Sequence, residues 1–198
     1  MTMVASVTRL VATVAVVGAC LSVGQDWVVG ATWAAAEVPD TRGAAGEMQA
    51  TVVRVVDGDT VTLQMPGRRR LTVRLASIDA PEQGRDGLPA QPHAGQARSA
   101  LERLVQGKDV TVRCYEYDHH GRAICDLKLD AGETVNRWLV REGHAWVNRE
   151  KRGRFVRDPR LYELEAAARR ERRGIWADDA PKAPWQWRYD CWHERRCN

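Results

Sequence analysis

The run VVRVVDGDTVTL, residues 52–63, decides how the rest of the chain is read. Val52, Val53, Val55 and Val56 before the centre, and Val61, Thr62 and Leu63 after it, are β-branched or aliphatic residues of the kind that fill strands. Between them Asp57-Gly58 is a turn dipeptide, so the run is a hairpin with strands over 48–56 and 60–65. Pro66-Gly67 makes the next turn. Residues 69–78 then set Leu71, Val73 and Leu75 against Arg70, Thr72 and Arg74, a period of two with a basic outer face. Three consecutive short strands predict a meander.

Working outward, residues 79–92 read as a loop holding Pro81, Pro89 and Pro92. Residues 94–106 read as a helix, with Ala97, Leu101, Leu104 and Val105 on one face and Gly107 as its stop. Two further strands, 109–115 and 123–129, flank the turn Asp118-His119-His120-Gly121. Residues 134–142 form a helix ended by Gly143, 145–148 a short strand, and 151–159 a basic loop. A last helix spans 160–173, with Leu161, Leu164 and Ala168 inward and Gly174 closing it, so that Ile175 and Trp176 fold back onto the core. Five short strands with three α-helices place the chain in the α+β class as a small closed barrel, for which the oligonucleotide-binding (OB) barrel is one solution. Residues 181–198 differ: Trp185, Trp187, Trp192, Cys191 and Cys197 crowd a short segment that reads as an appended tail.

A chain of 198 residues has room for one main domain. Its net charge of +4 excludes a histone-like packing protein, and 28% charged against 44% apolar residues excludes a mainly disordered chain. The long apolar stretch is N-terminal, about 14 residues over 10–23 behind Arg9, which excludes a multi-span membrane protein. It suits the apolar region of a secretory signal, with Ala34-Ala35-Ala36 as cleavage site. Two other readings stand: a lipobox ending at Cys20, and an uncleaved anchor. Residues 1–36 are thus assigned to a signal peptide, 37–47 to a short leader, 48–180 to the domain proper and 181–198 to the tail. The expected location is extracytoplasmic, periplasmic or secreted, with no membrane span left after cleavage and a monomeric product. Cleavage removes Cys20 from the five cysteines. Cys114 and Cys125 flank the Asp118–Gly121 turn symmetrically, as they would across a two-residue hairpin, and Cys191 with Cys197 would be the second pair. Four cysteines allow three connectivities, and spacing does not choose among them.

Three segments carry chemistry: Asp57-Gly58-Asp59-Thr60, the strand end VRLASIDAPE over 73–82, and Asp118-His119-His120-Gly121-Arg122. Each alone reads as a turn or strand end. Converging on one face of a small barrel, they supply Asp59, Asp79 and Glu82 beside Arg74 and Arg122. Carboxylates are hard oxygen ligands that suit Ca²⁺ or Mg²⁺. Guanidinium forks match phosphodiester oxygens. A carboxylate held off the metal can take a proton from water. The set describes metal-assisted phosphodiester hydrolysis.

In order and spacing these three segments, with the helix–GIW ending, resemble the staphylococcal nuclease (thermonuclease) family over residues 49–176. The resemblance implies an OB-fold barrel with three helices and Ca²⁺-dependent cleavage of DNA and RNA, favouring single-stranded substrate and leaving a 5′-hydroxyl and a 3′-phosphate. It implies that Asp59, Asp79 and the backbone carbonyl of Ala80 hold Ca²⁺, with Asp57 as an indirect ligand. Glu82 would activate water, and Arg74 and Arg122 would grip the phosphate. The family carries a tyrosine before its Gly-Arg where this chain has His120, and a lysine-rich loop where this chain has 84–92. His120 can still stack or donate to a phosphate. Arg149, Lys151 and Arg152 belong to a basic run that can track a polyanion. Trp138, Trp146 and Trp176 read as packing residues. The competing reading is a non-catalytic OB module that binds nucleic acid or protein. Against it stand carboxylates that would repel a phosphate unless a cation were present.

Overall fold

A computed structural model describes residues 46–130 and 132–197. The proposed signal peptide, with Cys20, and most of the leader lie outside the described residues. Strands β1 (Met48–Val55), β2 (Thr60–Gln64), β3 (Arg70–Leu75), β5 (Asp109–Tyr117) and β6 (Ala123–Lys128) close a barrel in the order β1-β2-β3-β6-β5. All neighbouring pairs are antiparallel except β3 with β6, which run parallel. The α+β, OB-type barrel expected from the alternating pattern is what forms. Its interior takes the inward residue of each alternation: Val52, Val61, Leu63, Val73, Leu75, Val112, Cys125 and Leu127 are all fully buried. Each large aliphatic side chain so placed contributes about 1.5–3 kcal/mol.

Helix α1 (Ala94–Val105) packs Ala97, Leu101 and Val105 against the barrel; α2 (Val135–Arg141) and α3 (Arg160–Arg170) follow. Thr134 caps α2 by accepting the amide of Arg137. The chain leaves α2 and α3 at Gly143 and Gly174, which touch: the amide of Ile175 donates to the Gly143 carbonyl at 2.9 Å. A Cβ on Gly143 would lie 2.2 Å from the Arg173 carbonyl oxygen, so this crossing requires glycine.

Two expectations change. The strand predicted over 69–78 breaks at Ala76-Ser77, because Ser77 takes a left-handed conformation, φ 68°. The chain leaves the barrel there and forms β4 (Ile78–Asp79), which pairs with β7 (Trp146–Val147) in a separate two-stranded sheet. The second difference concerns the cysteines. The loop between β5 and β6 is not a two-residue hairpin, since Tyr117 pairs with Ala123. A bulge at Tyr115 shifts the register by one and brings Cys114 opposite Cys125. The disulfide joins them, and a second joins Cys191 to Cys197.

The tail is folded onto the domain. It forms a fourth, short helix, α4 (Pro184–Trp187), continued by a wider turn over Arg188–His193. Trp187 and Cys191 are buried, and Gln91 donates to the Lys182 carbonyl at 2.6 Å. Among the described residues, no helix is long and apolar enough to cross a membrane.

Candidate active site

The hairpin that opened the reading is built to present Asp59. Asp57 Oδ1 accepts the amide of Asp59 at 3.0 Å, and the amide of Val56 donates to the Thr60 carbonyl at 2.8 Å. Gly58 lets this turn sit tight on its neighbours: a Cβ there would come within 2.7 Å of the Ala80 Cβ and 2.9 Å of the Ala97 Cβ. Asp59 is then fixed from three sides. Its Oδ1 accepts from the Thr60 hydroxyl at 3.0 Å, and its Oδ2 accepts the Ala80 amide at 2.9 Å and lies 3.4 Å from Arg74 Nη2. The turn and the end of β4 are thus tied through one carboxylate.

Asp79 reaches the same place because the chain breaks at Ser77. The Ser77 carbonyl accepts the amide of Asn148, and its hydroxyl accepts the amide of Arg157, both at 2.9 Å. Next to the break, buried Asn136 donates to the Ala76 carbonyl at 2.9 Å and accepts from the amide of Leu127. Asp79 is 1% exposed, and its Oδ1 lies 2.6 Å from Arg74 Nη2. Burial pushes its carboxyl above the usual carboxylate range, while Arg74 and Arg188 pull it back. Burial also pushes Glu82 up, again opposed by Arg188. Asp57 is pushed up to about 7, by burial and then by the charge of Asp59 beside it.

Asp57, Asp59, Arg74, Asp79, Ala80, Glu82, His120, Arg122 and Lys151 all line one cavity of about 740 Å³. Arg122 is held there by Asp118, which accepts its Nε at 2.7 Å and its backbone amide at 2.9 Å. These bonds outweigh burial and lower the Asp118 pKa. Arg149 lies apart. Its Nη2 pairs with buried Glu165 at 2.6 Å, and it lines a second cavity with Trp146 and Trp176. Arg152 is exposed and lines neither.

One residue of the acid cluster was not anticipated. Arg188, from the tail, places Nη2 3.0 Å from Asp79 Oδ2 and 3.2 Å from Glu150 Oε1, and Nη1 against Glu82 Oε1. The Trp and Cys density of the tail was the available signal that it folds; nothing local marks Arg188 as its inward residue.

The donor set suits a hard cation. It offers the carboxylates of Asp59 and Asp79 with Ala80 beside them on the cavity wall, while the four described cysteines are taken by disulfides. Among the described residues, no three or more His, Cys, Asp or Glu side chains gather in a metal-holding arrangement, and arginines meet the acids instead.

The fold and site define a five-stranded OB-type barrel with acids and arginines gathered on one cavity, and comparison with known proteins gives its family. Residues 72–178 match the family model described as staphylococcal nuclease homologue. An "Uncharacterized endonuclease" of Escherichia coli O157:H7 is 36% identical over 143 residues, 72% of this chain and 86% of that protein. A "Micrococcal nuclease" of Shigella flexneri is 37% identical over 150 residues, 72% of this chain and 81% of that protein. A "Probable staphylococcal-like nuclease CAN1" of Oryza sativa subsp. japonica is 32% identical over 164 residues, 79% of this chain and 46% of that protein. The chain belongs to the staphylococcal nuclease homologue family.

Proposed function

We propose that this protein is an exported, Ca²⁺-dependent nuclease that hydrolyses phosphodiester bonds of DNA and RNA, prefers single strands and leaves 3′-phosphates. The observation that carries the reading is the convergence of Asp59, Asp79, Glu82, Arg74 and Arg122 on one cavity. Asp59, Asp79 and the Ala80 carbonyl would hold the ion, with Asp57 supporting Asp59 through its amide. Bound there, Ca²⁺ supplies positive charge to the phosphate oxygens and lets a polyanion approach an acidic cluster.

The remaining work falls to the chain's own groups. Arg74 is oriented by Asp59 and Asp79 and offers its charge to the non-bridging oxygens. Arg122, braced by Asp118, approaches from the β5–β6 loop. Glu82 accepts a proton from the attacking water, and its burial raises its basicity toward neutral pH, where a general base is most effective. His120 and Lys151, which line the same cavity, would contact the strand beyond the scissile phosphate. The two disulfides suit an oxidising compartment, which supports export.

The test is hydrolysis of denatured DNA with Ca²⁺ and again with chelator, with end-group analysis of the products. Loss of activity on chelation and 3′-phosphate ends are expected. Activity that survives chelation overturns the metal requirement.

A further inference from the structure

Arg188 sits 109 positions from Asp79 in sequence and yet contacts both of its oxygens, Oδ2 at 3.0 Å and Oδ1 at 3.4 Å. The same guanidinium bonds Glu82 and lies 3.2 Å from Glu150. The remaining contact to Asp79 Oδ1 is Arg74, so arginines engage both oxygens of the carboxylate.

The segment that carries Arg188 is anchored independently of it. Trp187 and Cys191 on either side are buried, and the Cys191–Cys197 disulfide closes the turn. The Trp192 indole donates to the Pro89 carbonyl at 3.0 Å, and Arg85 lies over its ring. The loop that receives the tail also holds Glu82, whose amide donates to Gln91 Oε1. Arg188 is thus a long, partly exposed side chain on a fixed base, able to swing without undocking the tail.

A divalent ion on Asp79 would need the Oδ2 that Arg188 now bonds, and it would add its charge to the two guanidiniums already on that carboxylate, of which Arg188 is the more exposed at 29% against 16% for Arg74. Taking Ca²⁺ to bind at Asp59 and Asp79, as proposed above, we infer that Arg188 is a built-in competitor of the metal. Guanidinium and Ca²⁺ are alternative occupants of Asp79, and Glu82 is released when the guanidinium leaves. The tail therefore sets the Ca²⁺ concentration at which the site loads, and loading expels Arg188 from the acids. Without metal, Arg188 keeps the acid pair neutralised and Glu82 engaged, so Glu82 meets water only once the ion has displaced the guanidinium.

The test is Ca²⁺ binding to the full chain by calorimetry, for wild type, Arg188→Gln, Arg188→Lys and Asp79→Asn, each first checked for its fold by circular dichroism. Arg188→Gln is expected to bind at least tenfold more tightly than wild type, with Arg188→Lys between them, and Asp79→Asn to lose binding. On unmutated protein, the ¹⁵N guanidinium resonances of Arg188 should be protected in chelator and lose that protection at saturating Ca²⁺. Equal or weaker binding by Arg188→Gln, or guanidinium resonances unchanged at saturation, overturns the competition. Absence of Ca²⁺ binding in every protein overturns the metal reading itself, and the competition falls with it. Binding unaffected by Asp79→Asn moves the ion elsewhere, which removes Arg188 as its competitor.

Discussion

Glu165 braces β7, the strand that pairs with Asp79, and its removal should be felt in stability before it is felt in the chemistry. It lies on α3 with 2% exposure; its Oε1 accepts the amide of Val147 at 3.0 Å, and its Oε2 pairs with Arg149 at 2.6 Å and Arg169 at 3.4 Å. Val147 belongs to β7, whose Trp146 is the register partner of Asp79. In Glu165→Ala the Val147 amide is left buried without that acceptor, which costs about 1–3 kcal/mol. Breaking a fully buried ion pair typically costs about 3–5 kcal/mol. Here the arginine side chains are 41% and 50% exposed and can turn to solvent, so most of that penalty is escaped. The expected total is about 2–4 kcal/mol, dominated by the amide. Glu165→Gln, which keeps an acceptor for Val147, should lose less than half as much. Urea unfolding at neutral pH reads both values, with unchanged slopes to show that the unfolded state is comparable. Amide exchange should quicken at Val147 and Asp79 in the alanine variant. A loss below about 1 kcal/mol in Glu165→Ala, or a glutamine variant as unstable as the alanine one, refutes the reasoning.

Two further outcomes are expected. Glu82→Gln should lower the turnover of denatured DNA by about 10²–10⁴-fold while Ca²⁺ binding persists, since the amide can fill space but cannot take a proton; near-wild-type turnover removes Glu82 as the base. His144 lies against Trp138 with the rings tilted, and burial depresses its pKa below the ordinary value, so protons are taken up on unfolding as pH falls through about 6.5 and this contribution to stability is lost. The stability of wild type relative to His144→Gln, from urea midpoints, should therefore shrink between pH 7 and pH 5, and a constant difference contradicts the assignment.

The barrel was legible because a strand buried on one face writes its orientation into every second residue, and Val61, Leu63, Val73 and Leu75 obey that rule. The gathering of Asp59, Asp79, Glu82, Arg74 and Arg122 on one cavity was legible because they lie at turns and strand ends, where a short motif carries its own geometry, whereas Arg188 was not. What could not be read depends on single backbone choices or on distant partners. Ser77 continues the composition of a strand, and only its left-handed φ of 68° shows that Ile78 and Asp79 belong to a different sheet. The cysteine pairing was anticipated for the wrong reason, since a bulge at Tyr115, not hairpin symmetry, sets the register. The basic run after α2 looked uniform. Left-handed Lys151 and Arg152, with φ of 48° and 63°, lie where it divides, with Lys151 on the acid cavity and Arg149 on Glu165.

The site itself contributes no excess of positive charge. Each arginine proposed for it is matched to acids: Arg74 to Asp59 and Asp79, Arg122 to Asp118, and Arg188 to Asp79, Glu82 and Glu150. Such pairing leaves little long-range positive field to concentrate nucleic acid, so attraction of a strand must come from groups at the rim such as Lys151 and the exposed arginines beyond it. Pairing also holds each guanidinium in place before substrate arrives, and a fixed charge stabilises a developing phosphoryl charge without reorganising. Arg74 and Arg122 gain from this arrangement because their acid partners leave them facing the cavity. Arg188 differs, because besides Asp79 it bonds Glu82, the proposed base. A third arginine in that position adds no grip on phosphate while it stays bound to Asp79 and Glu82, and on the competition proposed above its part is to neutralise the acids until a stronger cation takes its place.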